Sequence, residues 1–331
     1  MTRMERLGHD VWALVKDYWV SEERWAAWAR LAAVIGLDLG FVYINVRLNQ
    51  ANGTVFNALQ QNDAAGFFRA FGLILLLVLI VLVVVLLRAF LIQTLQLRWR
   101  RWLTDQYLTH WLADRVFYRL RFSGRVDNPD QRIAEDIRLF IDYTLSMGLG
   151  LLITLAMLAS FTVILWDLAG SLTLPLGGFA LTIPGYMFWV AVLYSGVGSA
   201  LAHLVGRPLI RLNNLQRSVE ADFRFSLVRL REEAEGIALY GGEAQERGIA
   251  LGRFQALYTN VMRLILRNCQ YLTFQLFVGQ FANFFPLLVA APRYFAGAIA
   301  LGALMQIANA FSQVNGSLSW FIANYTICIE H

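Results

Sequence analysis

The sequence predicts an all-α membrane protein, with six transmembrane helices that carry long cytoplasmic extensions. Three observations predict it. Residues Ala70–Leu87, AFGLILLLVLIVLVVVLL, are eighteen positions without a charge or a side-chain hydrogen bonder. With its flanks this run is long enough to cross the ~30 Å hydrocarbon core as a helix. It is apolar on every side, where a soluble core helix would keep a polar stripe. Second, the 331-residue chain is 58% hydrophobic and 14% aromatic with mean hydropathy +0.51, which excludes an ordinary soluble domain. Third, the basic residues fall between the apolar runs. Arg98, Arg100 and Arg101 follow the Ala70–Leu87 run, and cytoplasmic flanks accumulate Arg, so that end points inward. The net charge of +5 and pI near 9.4 therefore report topology and give no reason to invoke nucleic acid.

Taken in order, residues 1–24 read as an amphipathic helix lying in the inner interface, with Trp12, Trp19, Trp25 and Trp28 at headgroup depth. The first span is expected at about 26–46. Residues 48–66 lack Lys and Arg and hold Asn52-Gly53, a turn signal, so they are expected to form an external loop. The second span, about 67–92, continues as a cytoplasmic helix through Gln93–Arg125, and its mixed Arg and Trp residues suit packing against sister helices. A break at Ser123-Gly124 precedes a sharply marked helix start. Asn128 is a good N-cap, Pro129 suits the first helical position, Asp130 complements the positive helix end and Gln131 completes a capping-box-like pattern.

The third span is expected at about 143–166. Asp167–Pro184 then forms an external connection in which Leu172–Leu176 and Phe179–Ile183 suit a small hairpin. The fourth span, about 186–205, has Gly196 and Gly198 for close helix packing. Residues 206–267 make the largest cytoplasmic insertion, where alternating Arg and Glu suggest i,i+4 pairs along a solvated helix. That helix breaks at Gly241-Gly242. The fifth span, about 271–291, turns at Ala291-Pro292-Arg293 into the sixth, about 295–322.

Catalytic motifs are missing from the sequence. Lys16 is the sole lysine and has no Gly-Lys-Ser/Thr context, so there is no Walker A loop. The four histidines and two cysteines are too scattered for a metal or redox site. What remains is polar residues inside the spans. Asp38, an intramembrane carboxylate, is a functional candidate or a hydrogen-bonded residue facing the bundle. Arg47, Arg69 and Arg88 near span ends are expected to snorkel. Gln306, Asn309 and Gln313 share one face of the sixth span, and the fifth adds Gln275, Gln280 and Asn283. Together they suit an uncharged lining for a translocation pathway, or hydrogen bonds between helices.

Two stretches, DNPDQRIAEDIRLF (Asp127–Phe140) and REEAEGIALYGGEAQE (Arg231–Glu246), resemble the transmembrane domain of ATP-binding cassette (ABC) exporters. The match is to the subfamily D-like group of peroxisomal fatty-acyl transporters and their bacterial relatives, including the SbmA/BacA-like group. The resemblance runs from about Tyr18 to Tyr325, and Phe223–Phe225 and Ala291–Tyr294 contribute to it. It implies an ABC exporter-type transmembrane domain over 25–325, working as a homodimer in the bacterial inner membrane with both termini cytoplasmic. It also implies coupling to a nucleotide-binding domain, fused or separate, that binds ATP and Mg. Asn128, Pro129, Asp130 and Gln131, with Glu235, Tyr240, Gly241, Gly242 and Glu243, would transmit the motion. The solute would be a small molecule, lipid-like compound or peptide. Residues 326–331 read as a truncated linker with the nucleotide-binding domain absent. Two alternatives follow: a proton-driven SbmA/BacA-like peptide importer with Asp38 as carrier, or an inactive interaction subunit.

Overall fold

The computed structural model describes residues 15–115, 117–118, 131–176 and 179–330. Along the chain come α1 (Arg24–Gln60), α2 (Ala64–Leu112), α3 (Ile137–Ala169), β1 (Ser171–Leu176), β2 (Phe179–Pro184), α4 (Tyr186–Glu232), α5 (Ala234–Tyr240), α6 (Glu243–Phe295) and α7 (Leu301–Glu330). Helices α1, α2, α4, α6 and the segment Ile133–Ala169 are long and apolar enough to cross a membrane. The sixth expected span corresponds to α7. The two strands pair antiparallel, Ser171 opposite Pro184 and Leu172 opposite Ile183, as the hairpin pattern suggests. The chain divides into two compact units, Trp189–Val289 and the remainder.

In the larger unit, α1 and α2 form an antiparallel pair joined by a turn at Gln61–Asp63. Asn62 takes a left-handed conformation there (φ 56°), and the Asp63 carboxylate accepts the Gly66 amide at 2.9 Å, capping α2. This corrects the expected external loop at 48–66. Helix α1 runs unbroken through Asn52-Gly53 and ends at Gln60. The glycine serves a helix crossing, because a side chain at Gly53 would fall onto Gln306 of α7. Much of α2's apolar surface stays bare: Val83 is 64% exposed and Leu86 70%. An exposed apolar face of that extent requires lipid or another protein surface.

Beyond its apolar stretch α2 is held by aromatic packing. Trp99 is fully buried, its ring stacked on Tyr18 at 5.4 Å and 9°. Leu95, Leu103, Ile137, Ile141 and Leu145 close the cluster. The described end of the N-terminal segment thus packs Tyr18 into a core, and burial pushes that phenol's pKa above its ordinary value. The rest of the expected interfacial helix lies outside the described residues. Helix α2 stops at Leu112 rather than near Arg125, and a tight turn, Ala113–Arg115, follows with Asp114 at φ 49°. Helix α7 packs against α1 and α3 with Ile307, Ala310, Phe311 and Val314 buried.

The smaller unit is a helical hairpin. Gly206 and Gly198, not Gly196, make its close approaches, the former to Tyr271 and the latter to Val278. The Tyr194 hydroxyl donates to the Val278 carbonyl at 2.6 Å. Asn260 is buried and donates to the Leu212 carbonyl and to Gln216 Oε1 at 2.9 Å. Phe223 meets Phe254 at 5.5 Å. Arg229 Nη2 lies 2.9 Å from both carboxylate oxygens of Glu246. The expected i,i+4 ladder along α4 is replaced by these contacts across the hairpin, since facing helices offer partners that the same helix would offer only to solvent. The turn into the sixth expected span also moves: α6 continues through Pro292 and Arg293 to Phe295, and Gly297 (φ 72°) makes the turn.

Candidate translocation and coupling site

The structure places the expected site residues in three groups. Of the first tip, Asn128, Pro129 and Asp130 lie outside the described residues. Gln131 is exposed and donates to Glu135 Oε2 at 3.3 Å. It leads into a wide helical turn, Arg132–Asp136, before α3. Arg100 of α2 donates to the Ala134 carbonyl at 3.0 Å and ties that turn to the long helix.

The second tip is fully described. Helix α4 ends at Glu232 and the short α5 intervenes. Gly241 then takes the left-handed conformation (φ 62°) that glycine adopts without a Cβ penalty. The Gly242 amide donates back to the Ile237 carbonyl at 3.0 Å, and α6 starts at Glu243. Tyr240 is 92% exposed and Leu239 79%. Glu235 and Glu243 are exposed beside them. The hairpin therefore ends in a tight turn at which an aromatic ring, an aliphatic chain and carboxylates are all exposed.

The third group comprises the polar residues within the spans. Asp38 is fully buried, and Arg88 does not snorkel: its guanidinium turns inward to bind the Asp38 carboxylate through Nε and Nη2. A buried carboxylate and a cation on the neighbouring apolar helix are most cheaply kept by pairing them. Stepping from that pair toward the Gln61–Asp63 turn, the uncharged Ala70–Leu87 lies alongside residues 39–56 of α1. Asp38 thus sits at the arginine-rich end of the apolar band, and not at mid-depth. Residues first expected in a loop lie within the band.

On α7, Gln306, Asn309 and Gln313 are all half-buried. Gln306 packs over Gly53, and the Asn57 and Gln60 side chains accept the Gly302 and Leu301 amides at 2.8 and 2.9 Å. On α6, Gln275, Gln280 and Asn283 are exposed. Gln275 donates to the Tyr271 hydroxyl at 2.8 Å, and Asn283 to Gln280 Oε1 at 3.4 Å. These two trios belong to different units. Sequence reading missed Arg88, Asn49, Asn57 and Gln60. For Arg88 the signal was present, as a cation in the second span with the single carboxylate of the preceding span to answer it.

The ABC transporter transmembrane region 2 family matches residues 14–295. This chain belongs to that family. It is 36% identical over 315 residues to the inner membrane ABC transporter ATP-binding protein YddA of Escherichia coli (strain K12), covering 94% of this chain and 56% of that protein. It is 34% identical over 326 residues to ABC transporter D family member 2, chloroplastic, of Arabidopsis thaliana, covering 98% and 44% respectively. It is 29% identical over 246 residues to ABC transporter D family member 1 of the same plant, covering 73% and 17%. The chain spans about half the length of the first two relatives. The expected all-α ABC transmembrane domain is thereby shown, with likeness to the D family. Helix α7 lies beyond the matched residues.

Proposed function

We propose that this chain is the membrane half of an ATP-driven transporter that moves a solute across the bacterial inner membrane by alternating access, as a homodimer. Its motor is a nucleotide-binding domain, fused or separate, carrying ATP and Mg. The observation that carries this reading is the second tip, a glycine-locked turn at the end of a cross-braced hairpin, built at the motif shared with ABC exporters. Gln131 and the Asn128–Asp130 stretch supply a second contact for the motor. Six spans place both tips and both termini in the cytoplasm. Gln306, Asn309 and Gln313, with Gln275, Gln280 and Asn283, face the solute. The grouping with SbmA/BacA-like proteins belongs to this reading as well. Proton-driven uptake is less favoured because Arg88 engages the carboxylate that would carry the proton.

The test is Glu243→Lys in the full transporter, assayed for ATPase activity with and without candidate solutes in nanodiscs. Reversing the charge beside the Gly241-Gly242 turn is expected to leave insertion and dimerisation intact and to weaken solute stimulation. Unchanged stimulation would mean that the tip is an ordinary turn. Solute uptake that follows a proton gradient and ignores ATP would support the proton-driven alternative.

A further inference from the structure

Asn49 carries an inference that the coupling and lining residues do not. Its side chain is fully buried, and neither carboxamide atom has a hydrogen-bond partner among the described residues. In the register fixed by Asp38 and Arg88, Asn49 stands near the middle of the eighteen-residue apolar band. Leaving a carboxamide unpaired in such a place carries the full desolvation cost of the group. A residue of that kind is kept for what it meets in another state.

The surroundings indicate what opens. One turn from Asn49 on the same face of α1 is Gly53, with Gln306 over it. Helix α7 runs antiparallel to α1, its start capped by Asn57 and Gln60. Asn49 is therefore level with Asn309 and Ala310, one turn further along α7. The α1–α7 seam is thus lined at successive turns by carboxamides; the nearest charge along α1, Arg47, is exposed and donates to Gln50, and Asp38 and Arg88 neutralise one another.

We propose that Asn49 is a pathway residue, a mid-membrane hydrogen-bonding group that is occluded here and meets water and solute when the α1–α7 seam opens. The part of the solute it fits is neutral and offers both a donor and an acceptor, as an amide or a hydroxyl does. This rests on the permease reading and extends its pathway to a helix face that reading does not include.

The experiment uses the full transporter in nanodiscs with Cys269→Ser and Cys328→Ser and a single Asn49→Cys. The probe is a cationic methanethiosulfonate, applied without nucleotide, during ATP turnover and after vanadate trapping. A matched sample carries Leu86→Cys on the bare apolar face. In at least one arm the position 49 thiol is expected to react roughly tenfold faster than the position 86 thiol, because a thiol held in apolar surroundings stays protonated. No excess reaction at position 49 in any arm, in a protein that still hydrolyses ATP, overturns the proposal and leaves the permease reading standing. A protein with no ATP-dependent activity fails the permease reading instead, and the nucleotide-free arm still decides whether water reaches position 49. Asn49→Leu adds a check independent of labelling. Its melting temperature without nucleotide is expected to equal or exceed that of the parent, and a lower one would show that the carboxamide is a packing partner in this state and overturn the proposal.

Discussion

Arg88 and Asp38 bind one another across α1 and α2 where the uncharged stretch of α2 ends. The carboxylate is fully buried and the arginine is 31% exposed, so the two are not equivalent. Asp38→Leu frees a cation that can partly reach solvent, whereas Arg88→Leu strands an anion that cannot. Removing one partner of a buried pair costs about 3–5 kcal/mol, and replacing both is often close to neutral. Arg88→Leu is expected to lower the melting temperature more than Asp38→Leu, with the double variant recovering most of the loss. Additive losses in a double-mutant cycle would show that the two do not act as a pair.

The cap on α7 gives a second test. Asn57 and Gln60 satisfy amides that the first turn of a helix leaves open, so Asn57→Leu should cost roughly 0.5–2 kcal/mol. Gly302→Val should cost more, since a side chain there meets the Gly53 carbonyl and Asn57. Thermal unfolding of the two variants ranks them. A Gly302→Val protein as stable as its parent would rule out so close a crossing.

Topology can be read with a membrane-impermeant thiol reagent on cells expressing single cysteines in a cysteine-free background. Gln61→Cys, at the exposed α1–α2 turn, is expected to react from outside. Ser218→Cys, exposed on α4, is expected to react only after lysis. The opposite pattern would reverse the orientation read from the arginines.

The helical class, the hairpin over Ser171–Pro184 and the turn at Gly241-Gly242 were legible because each rests on a local signal. Hydropathy, alternation and a glycine at a left-handed position need no knowledge of neighbours. Asn52-Gly53 misled for the complementary reason. The pair suits a turn in isolation, but here α7 crosses over the glycine, and tertiary contact overrides local preference. Arg229, whose partner is Glu246, was misread in the same way. Charge spacing along α4 suggested partners on the same helix, while the partner stands seventeen residues on, across a hairpin. Of the candidate site, the second tip was readable and Asn49 was not. Nothing about an asparagine announces its burial until the helix that covers it is in place.

The borrowed cap on α7 also constrains the order in which the molecule is made. Asn57 and Gln60 leave the ribosome more than two hundred residues before the amides they accept. Until α7 arrives, the α1–α2 pair holds both acceptors open at its turn, and the first turn of α7 stays unsatisfied. Each helix crosses on its own hydrophobicity, and the side-by-side arrangement is settled afterwards. The last helix of this region thus closes onto the first, and a nascent chain stalled before Leu301 would keep α1 waiting for its partner.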